Sequence, residues 1–263
     1  MKNLAHVFKL AVVLNLFILC INTNATVVLA ESVKIGDIIQ GSIKIGRRII
    51  TLPTGTWQVI FKNERNPSTD GSTQGPKMIS LSFQEIIENK LTRVLQLEAT
   101  NYSGNFNWIN EPCKTQGDSF WLDDRKRSLM DQFCIRIGFH SGVVDGARGE
   151  TFLNWARDIK QRNTAYSAEM PSIEVTRYNA ADYLKIVMQF NPSVSGISHS
   201  KEKPRQFNDW NPRQLAQNSS HEAFYEALRS WAPTFAGAVN RAFDGDESLL
   251  SQDFAEPTLP RRP

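Results

Sequence analysis

The 263-residue chain carries 30 Lys and Arg against 27 Asp and Glu, a formal charge of +3. Two of the basic residues, Lys2 and Lys9, belong to an N-terminal leader, and without them the net charge is +1. A nearly neutral chain with no basic stripe argues against nucleic acid as a partner, because phosphate contacts dominate that affinity.

The leader has a positive start with no acid, then an apolar run over residues 10–21 broken only by Asn15. That run falls short of the ~20 apolar residues of a membrane-spanning helix, so residues 1–30 read as a secretory signal peptide. Cleavage is expected after Ala30, where Glu31 and Ser32 open a polar start, with Ala25 as the alternative. Cys20 follows Leu19 rather than a small residue and lies inside the apolar run, which argues against a lipid anchor. No transmembrane segment is expected after maturation, and the expected location is periplasmic or secreted. Cys113 and Cys134 then remain, and in an oxidising compartment an even pair is most simply a disulfide.

The mature chain reads as one α+β domain over residues 31–250 with a disordered, proline-rich tail at 251–263. Residues 33–45 are strand-like and punctuated by glycines. Pro53 and Gly55 mark a turn into a strand where Trp57, Val59 and Phe61 alternate with Gln58 and Lys62. Residues 63–76 read as an exposed loop. Ile79, Leu81 and Phe83 alternate with Ser80, Ser82 and Gln84, while Leu91, Leu95, Leu97 and Ala99 face away from Thr92, Gln96 and Glu98. The short link at Glu88-Asn89-Lys90 makes these a hairpin.

Residues 121–127 suggest a charged, helical excursion. After it, Phe133, Ile135, Ile137 and Phe139 line one face of a strand, with Cys134, Arg136, Gly138 and His140 on the other. Phe152, Trp155, Ala156 and Ile159 have helical spacing. A second hairpin follows, with Ile173 and Val175 in one strand and Leu184, Ile186, Met188 and Phe190 in the next. Residues 191–218 read as a polar loop. Ser219 and Glu222 match a capping box opening the last helix, Pro233 is expected to kink or restart it, and Gly245 to end it. The architecture expected is an antiparallel sheet of hairpins whose apolar face is covered by two amphipathic helices, with one disulfide.

Chemistry-bearing residues are few. His140 and Ser141 are adjacent, but Phe139 stands where a nucleophile elbow needs glycine. His199 and His221 have no ligand spacing to one another or to His140, so no metal site and no cofactor is expected. The acidic run at 244–248 lacks the glycine and glutamate of a calcium loop. Asn101 and Asn218 stand in formal glycosylation sequons. Trp57, Trp155 and Trp231 fit apolar stripes, whereas Trp108, Trp121 and Trp210 fall in polar loops, where an exposed indole can anchor a glycan or a partner.

The Leu52-Pro53-Thr54-Gly55-Thr56-Trp57 turn, the spaced cysteines and the closing Ser230-Trp231 helix together resemble uncharacterised periplasmic proteins of Gram-negative bacteria. The turn into an antiparallel sheet is also similar to the PsbP/Mog1-type sandwich, a likeness of fold that implies no function. The expectation is a monomeric, non-catalytic envelope protein that binds a partner protein, a glycan or a small amphiphile. Its candidate contacts are Trp108, Trp121, Trp210 and Arg136. The alternative is a hydrolase using His140 with Ser141 or a nearby acid.

Overall fold

The computed structural model describes residues 27–66, 68, 69, 73–102, 104, 113, 121–128, 130–197 and 209–246. Most of the leader, the tail, Trp108 and His199 lie outside these residues. Within them the fold is α+β and centres on an eight-stranded sheet. In chain order the strands are β1 (Val27–Leu29), β2 (Ile38–Ile39), β3 (Ser42–Ile45), β4 (Arg48–Thr51), β5 (Trp57–Arg65), β6 (Ser68–Thr69), β7 (Thr73–Gln74), β8 (Met78–Ile87), β9 (Lys90–Thr100), β10 (Trp121–Ser128), β11 (Asp131–Ser141), β12 (Glu169–Asn179) and β13 (Tyr183–Phe190). The helices are α1 (Glu150–Gln161), α2 (Pro212–Leu215) and α3 (Ser219–Asp244).

The large sheet runs β10-β11-β12-β13-β9-β8-β5-β2, antiparallel throughout. The β8–β9 hairpin turns through Glu88 and Asn89, both at positive φ (49° and 57°), as a two-residue turn matching strand twist requires. Alternation fills one face with Phe83, Leu95, Leu97, Ile135, Ile173, Val175, Leu184 and Ile186, all nearly inaccessible to water. The 26-residue α3 lies on this face and buries Phe224, Leu228, Phe235, Val239 and Phe243. A three-stranded sheet, β1-β3-β4, closes the same core with Ile43, Ile45 and Ile50.

The two amphipathic helices cover opposite faces of the sheet, not a shared one. Trp155, Ala156 and Ile159 of α1 pack with Ile60, Leu91, Val94 and Met170 in a separate, smaller core. Bulges explain the split. Between Val59 and Phe61 the β5–β8 register shifts by one residue, so Phe61 stands opposite Ser82 rather than continuing the Trp57–Val59 face. A second shift in the β8–β9 ladder turns Leu91 to the α1 side and leaves Arg93 on the α3 side.

Four local expectations are corrected. Residues 121–128 form the edge strand β10, and exposed charge such as that of Arg125 discourages pairing with another chain. The cap of α3 is Asn218, whose side chain accepts from the Ser220 and His221 backbone N–H groups, so the capping-box serine lies just inside the helix. The α3 helix continues through Pro233 without restarting, and Gly245 ends it at φ 89°. The segment expected as one exposed loop instead continues β5 to Arg65 and holds the β6–β7 pair.

The Pro53-to-Trp57 turn is a staple beneath the sheet. Trp57 donates its indole N–H to the Pro53 carbonyl at 2.7 Å and lies under the Arg93 guanidinium, 4.8 Å from the ring centroid. Arg93 in turn makes a two-pronged pair with Glu85 at 2.6 and 2.7 Å. A Cβ on Gly55, at φ 148°, would sit 2.1 Å from Glu85 Oε1. Gly55→Ala is therefore expected to cost about 2 kcal/mol or more by denaturant titration, through strain and displacement of this pair; an unchanged midpoint would show that the pair does not depend on the close approach.

Candidate functional site

The face of the sheet opposite α3 is polar by alternation and only partly covered. Its ladder pairs Ser82 with Gln96 across β8 and β9, and Glu98 with Lys185 across β9 and β13. The α1 helix roofs one end. Phe152 of α1 stacks on Phe61 at 4.7 Å between centroids, and Trp155 donates its indole N–H to Gln84 Oε1 at 2.6 Å. Gln84 passes the bond on, donating to Gln58 Oε1 at 2.7 Å. The β5 bulge is what brings Phe61 under α1.

Clefts open around this roof. One, of about 250 Å³, lies between Phe61, Phe152, Ser80, Ser82, Gln96, Glu98, Lys185 and Val187. A second, of about 120 Å³, shares Gln96 and Phe152 with the first and adds Ile60, Val94, His140, Val143, Trp155 and Gln189. A third, of about 300 Å³, lies on the other flank of α1, where Trp155 donates to Gln84 and Gln84 to Gln58.

The first two clefts hold polar groups to spare. Ser82, Gln96 and Gln189 all line them, and none of the three side chains has a hydrogen-bond partner among the described residues. Gln189 is 2 % exposed, and its buried Oε1 accepts no hydrogen bond. Leaving such an atom unmet costs about 1–3 kcal/mol. The charges at the mouth are balanced separately: Glu98 meets Arg65 at 2.5 Å and accepts from Ser80, and Lys185 meets Glu174 at 3.0 Å.

The residues singled out from sequence disperse. Arg136 lies on the same face and pairs with Glu174 at 3.6 Å. Trp210 is 2 % exposed and packs against His221 at 4.4 Å and Phe224 at 5.5 Å, so it plugs the α3 core. Trp121 lies in edge strand β10. Cys113 and Cys134 form a disulfide with Cα atoms 5.7 Å apart, fixed to the polar face by β11. The sequon asparagines are engaged: Asn218 caps α3, and Asn101 Oδ1 accepts from the Gly46 N–H at 3.1 Å. Among the described residues no cluster of His, Cys, Asp or Glu is arranged to hold a metal.

His140 and Ser141 end β11 at the rim of the smaller cleft, and no hydrogen bond joins them. His140 is exposed by area, yet the surrounding protein crowds its ring and pushes its pKa below the ordinary value; Glu174 opposes that shift and Lys185 adds to it. Unfolded His140 thus takes up a proton at higher pH than folded His140. Stability is expected to fall as pH drops from the ordinary histidine range, ~6.5, toward the folded pKa, and to be flat above. An NMR titration should give a midpoint below ~6.5 that falls further in Glu174→Gln; a midpoint at or above the ordinary value would contradict the crowding.

Ser82, Gln96 and Gln189 were the residues sequence reasoning passed over, because on a strand the polar partner of an apolar position reads as solvent-facing. Set beside known protein families, curated proteins and solved structures, the chain gives no match.

Proposed function

We propose that the chain is an exported envelope protein that acts as a non-catalytic binding module, holding a small ligand in the joined clefts beside α1. The observation that carries this is the convergence of three neutral polar side chains without hydrogen-bond partners among the described residues, Ser82 and Gln189 buried and Gln96 half-buried, on one aromatic-walled recess. Binding sites commonly combine apolar walls with a few such groups. At about 250 and 120 Å³ the clefts suit a ligand at the small end of the usual range. A thermal-shift screen of small ligands against the wild type and Val187→Trp tests it. Ligands that raise the melting temperature only when the cleft is open support the reading; equal shifts in both proteins would refute it.

Export is supported by the leader pattern, by the disulfide, and by the lack, among the described residues, of any helix long and apolar enough to cross a membrane. The fold favours cleavage after Ala25 over Ala30. Val27–Leu29 pairs with β3, and Ala30 is fully buried in the main core, so cutting after Ala30 would remove β1 and a core residue. The mature chain is expected to begin at Thr26, as an intact mass will read; a chain beginning at Glu31 would contradict this.

A hydrolytic use of His140 is the alternative, favoured only by its place on the rim of the smaller cleft with a pKa that keeps it neutral. Loss of ester or glycoside turnover with retained binding in His140→Ala would establish it.

A further inference from the structure

We infer that the ligand of the cleft beside α1 is a neutral saccharide, its ring stacked on Phe152 and its hydroxyls bonded to Gln189, Gln96 and Ser82. The inference rests on the binding reading above and names the ligand class.

The wall decides the chemistry. The unmet Gln189 Oε1 accepts and cannot donate, so it calls for an O–H or N–H on the ligand. An alkyl chain would leave that oxygen buried and unpaired, and a carboxylate or phosphate, which only accepts, could meet the Gln189 Nε2 but not its Oε1. Net charge on the ligand has nothing to answer it. Each charge at the mouth already has a counter-ion: Glu98 is taken by Arg65 and Ser80, and Lys185 shares Glu174 with Arg136. Carboxamides such as Gln96 and hydroxyls such as Ser82 both donate and accept, which matches hydroxyl groups that do the same. Ser82 and Gln96 stand directly opposite across β8 and β9, and Gln96 and Phe152 line both clefts, so a ligand bridging the two would meet all three polar groups. Phe152 also lines both clefts and is backed by Phe61, giving an aromatic surface for the C–H face of a sugar ring. A ligand with hydroxyls at its rim and an apolar ring face meets every one of these demands.

The test is an NMR titration of the full chain with maltose, cellobiose and N,N′-diacetylchitobiose, with sodium laurate alongside. A saccharide is expected to shift the side-chain amides of Gln96 and Gln189. Gln189→Leu and Phe152→Ala should each weaken that binding about tenfold or more, a change of ~1.4 kcal/mol. Gln189→Leu should at the same time melt no lower than the wild type without ligand, since it removes an unpaired buried oxygen. Gln96→Leu, at a half-buried position, replaces it if that variant does not fold. Laurate shifting these residues while the sugars do not would overturn the saccharide assignment and leave the cleft as a binding site. No cleft shift with any probe would overturn both.

Discussion

Asp182→Ala is expected to destabilise the protein by about 3–5 kcal/mol, the usual cost of stranding one member of a buried ion pair. Asp182 has no exposed side-chain surface and meets Arg48, itself 1 % exposed, at 2.7 Å and Arg47 at 2.7 Å. Thr100 also donates to it at 3.3 Å. Burial lowers the Arg48 pKa, and the Asp182 carboxylate opposes that shift. Without the carboxylate a buried cation remains with the Thr100 oxygens as its acceptors. Urea titration should show the midpoint falling with the slope retained. The double variant Arg48→Met with Asp182→Leu should recover most of the loss, because a well-packed apolar pair replaces such ion pairs at little cost. A loss under ~1 kcal/mol for Asp182→Ala would mean that Arg48 finds water in the folded state.

Phe243→Ala should cost a similar ~3–5 kcal/mol, for another reason. Its ring is 1 % exposed in the last turn of α3 and has the Arg48 and Arg177 guanidinium carbons 4.9 and 4.6 Å from its centroid. Arg177 is further fixed by Asn240 at 3.0 Å and by a pair with Asp131. Truncating the ring opens a cavity in the main core and removes two cation–π contacts, each worth about 0.5–2 kcal/mol. Because Phe243 and Asp182 share Arg48, their effects should not add. A double-mutant cycle is expected to give a coupling of about 0.5–3 kcal/mol, and strict additivity would show that the ring and the ion pair are independent.

These two residues show where sequence is mute. The alternating strands, the hairpin at Glu88-Asn89, the apolar stripe of α3 and the glycine that ends it are all readable, because each rests on local spacing. The bulges in β5 and β9 are not, since an extra residue in a strand changes which face its neighbours take without changing composition. Strict alternation puts Phe61 on the face of Trp57 and Val59, and Leu91 on that of Leu95, whereas the bulges turn both toward α1. Edge strand β10 read as helical because its charge run lacks an apolar alternation. Asn218 was missed as the cap because two serines beside it fit the same motif. Trp210 read as exposed from its polar neighbours, yet the turn before α3 folds it under the helix. The site itself could not be read, because Gln96 and Gln189 look like any outward polar positions until α1 is placed above them.

A ligand held in the clefts beside α1 should travel with the folded chain. The most direct measurement is native mass spectrometry of the full chain exported through a secretory pathway in a saccharide-rich medium, compared with its denatured mass and with Val187→Trp. A discrete added mass is expected on the native wild type, lost on denaturation and absent from the variant. A native mass equal to the denatured one, or an added mass that Val187→Trp carries equally, would contradict it.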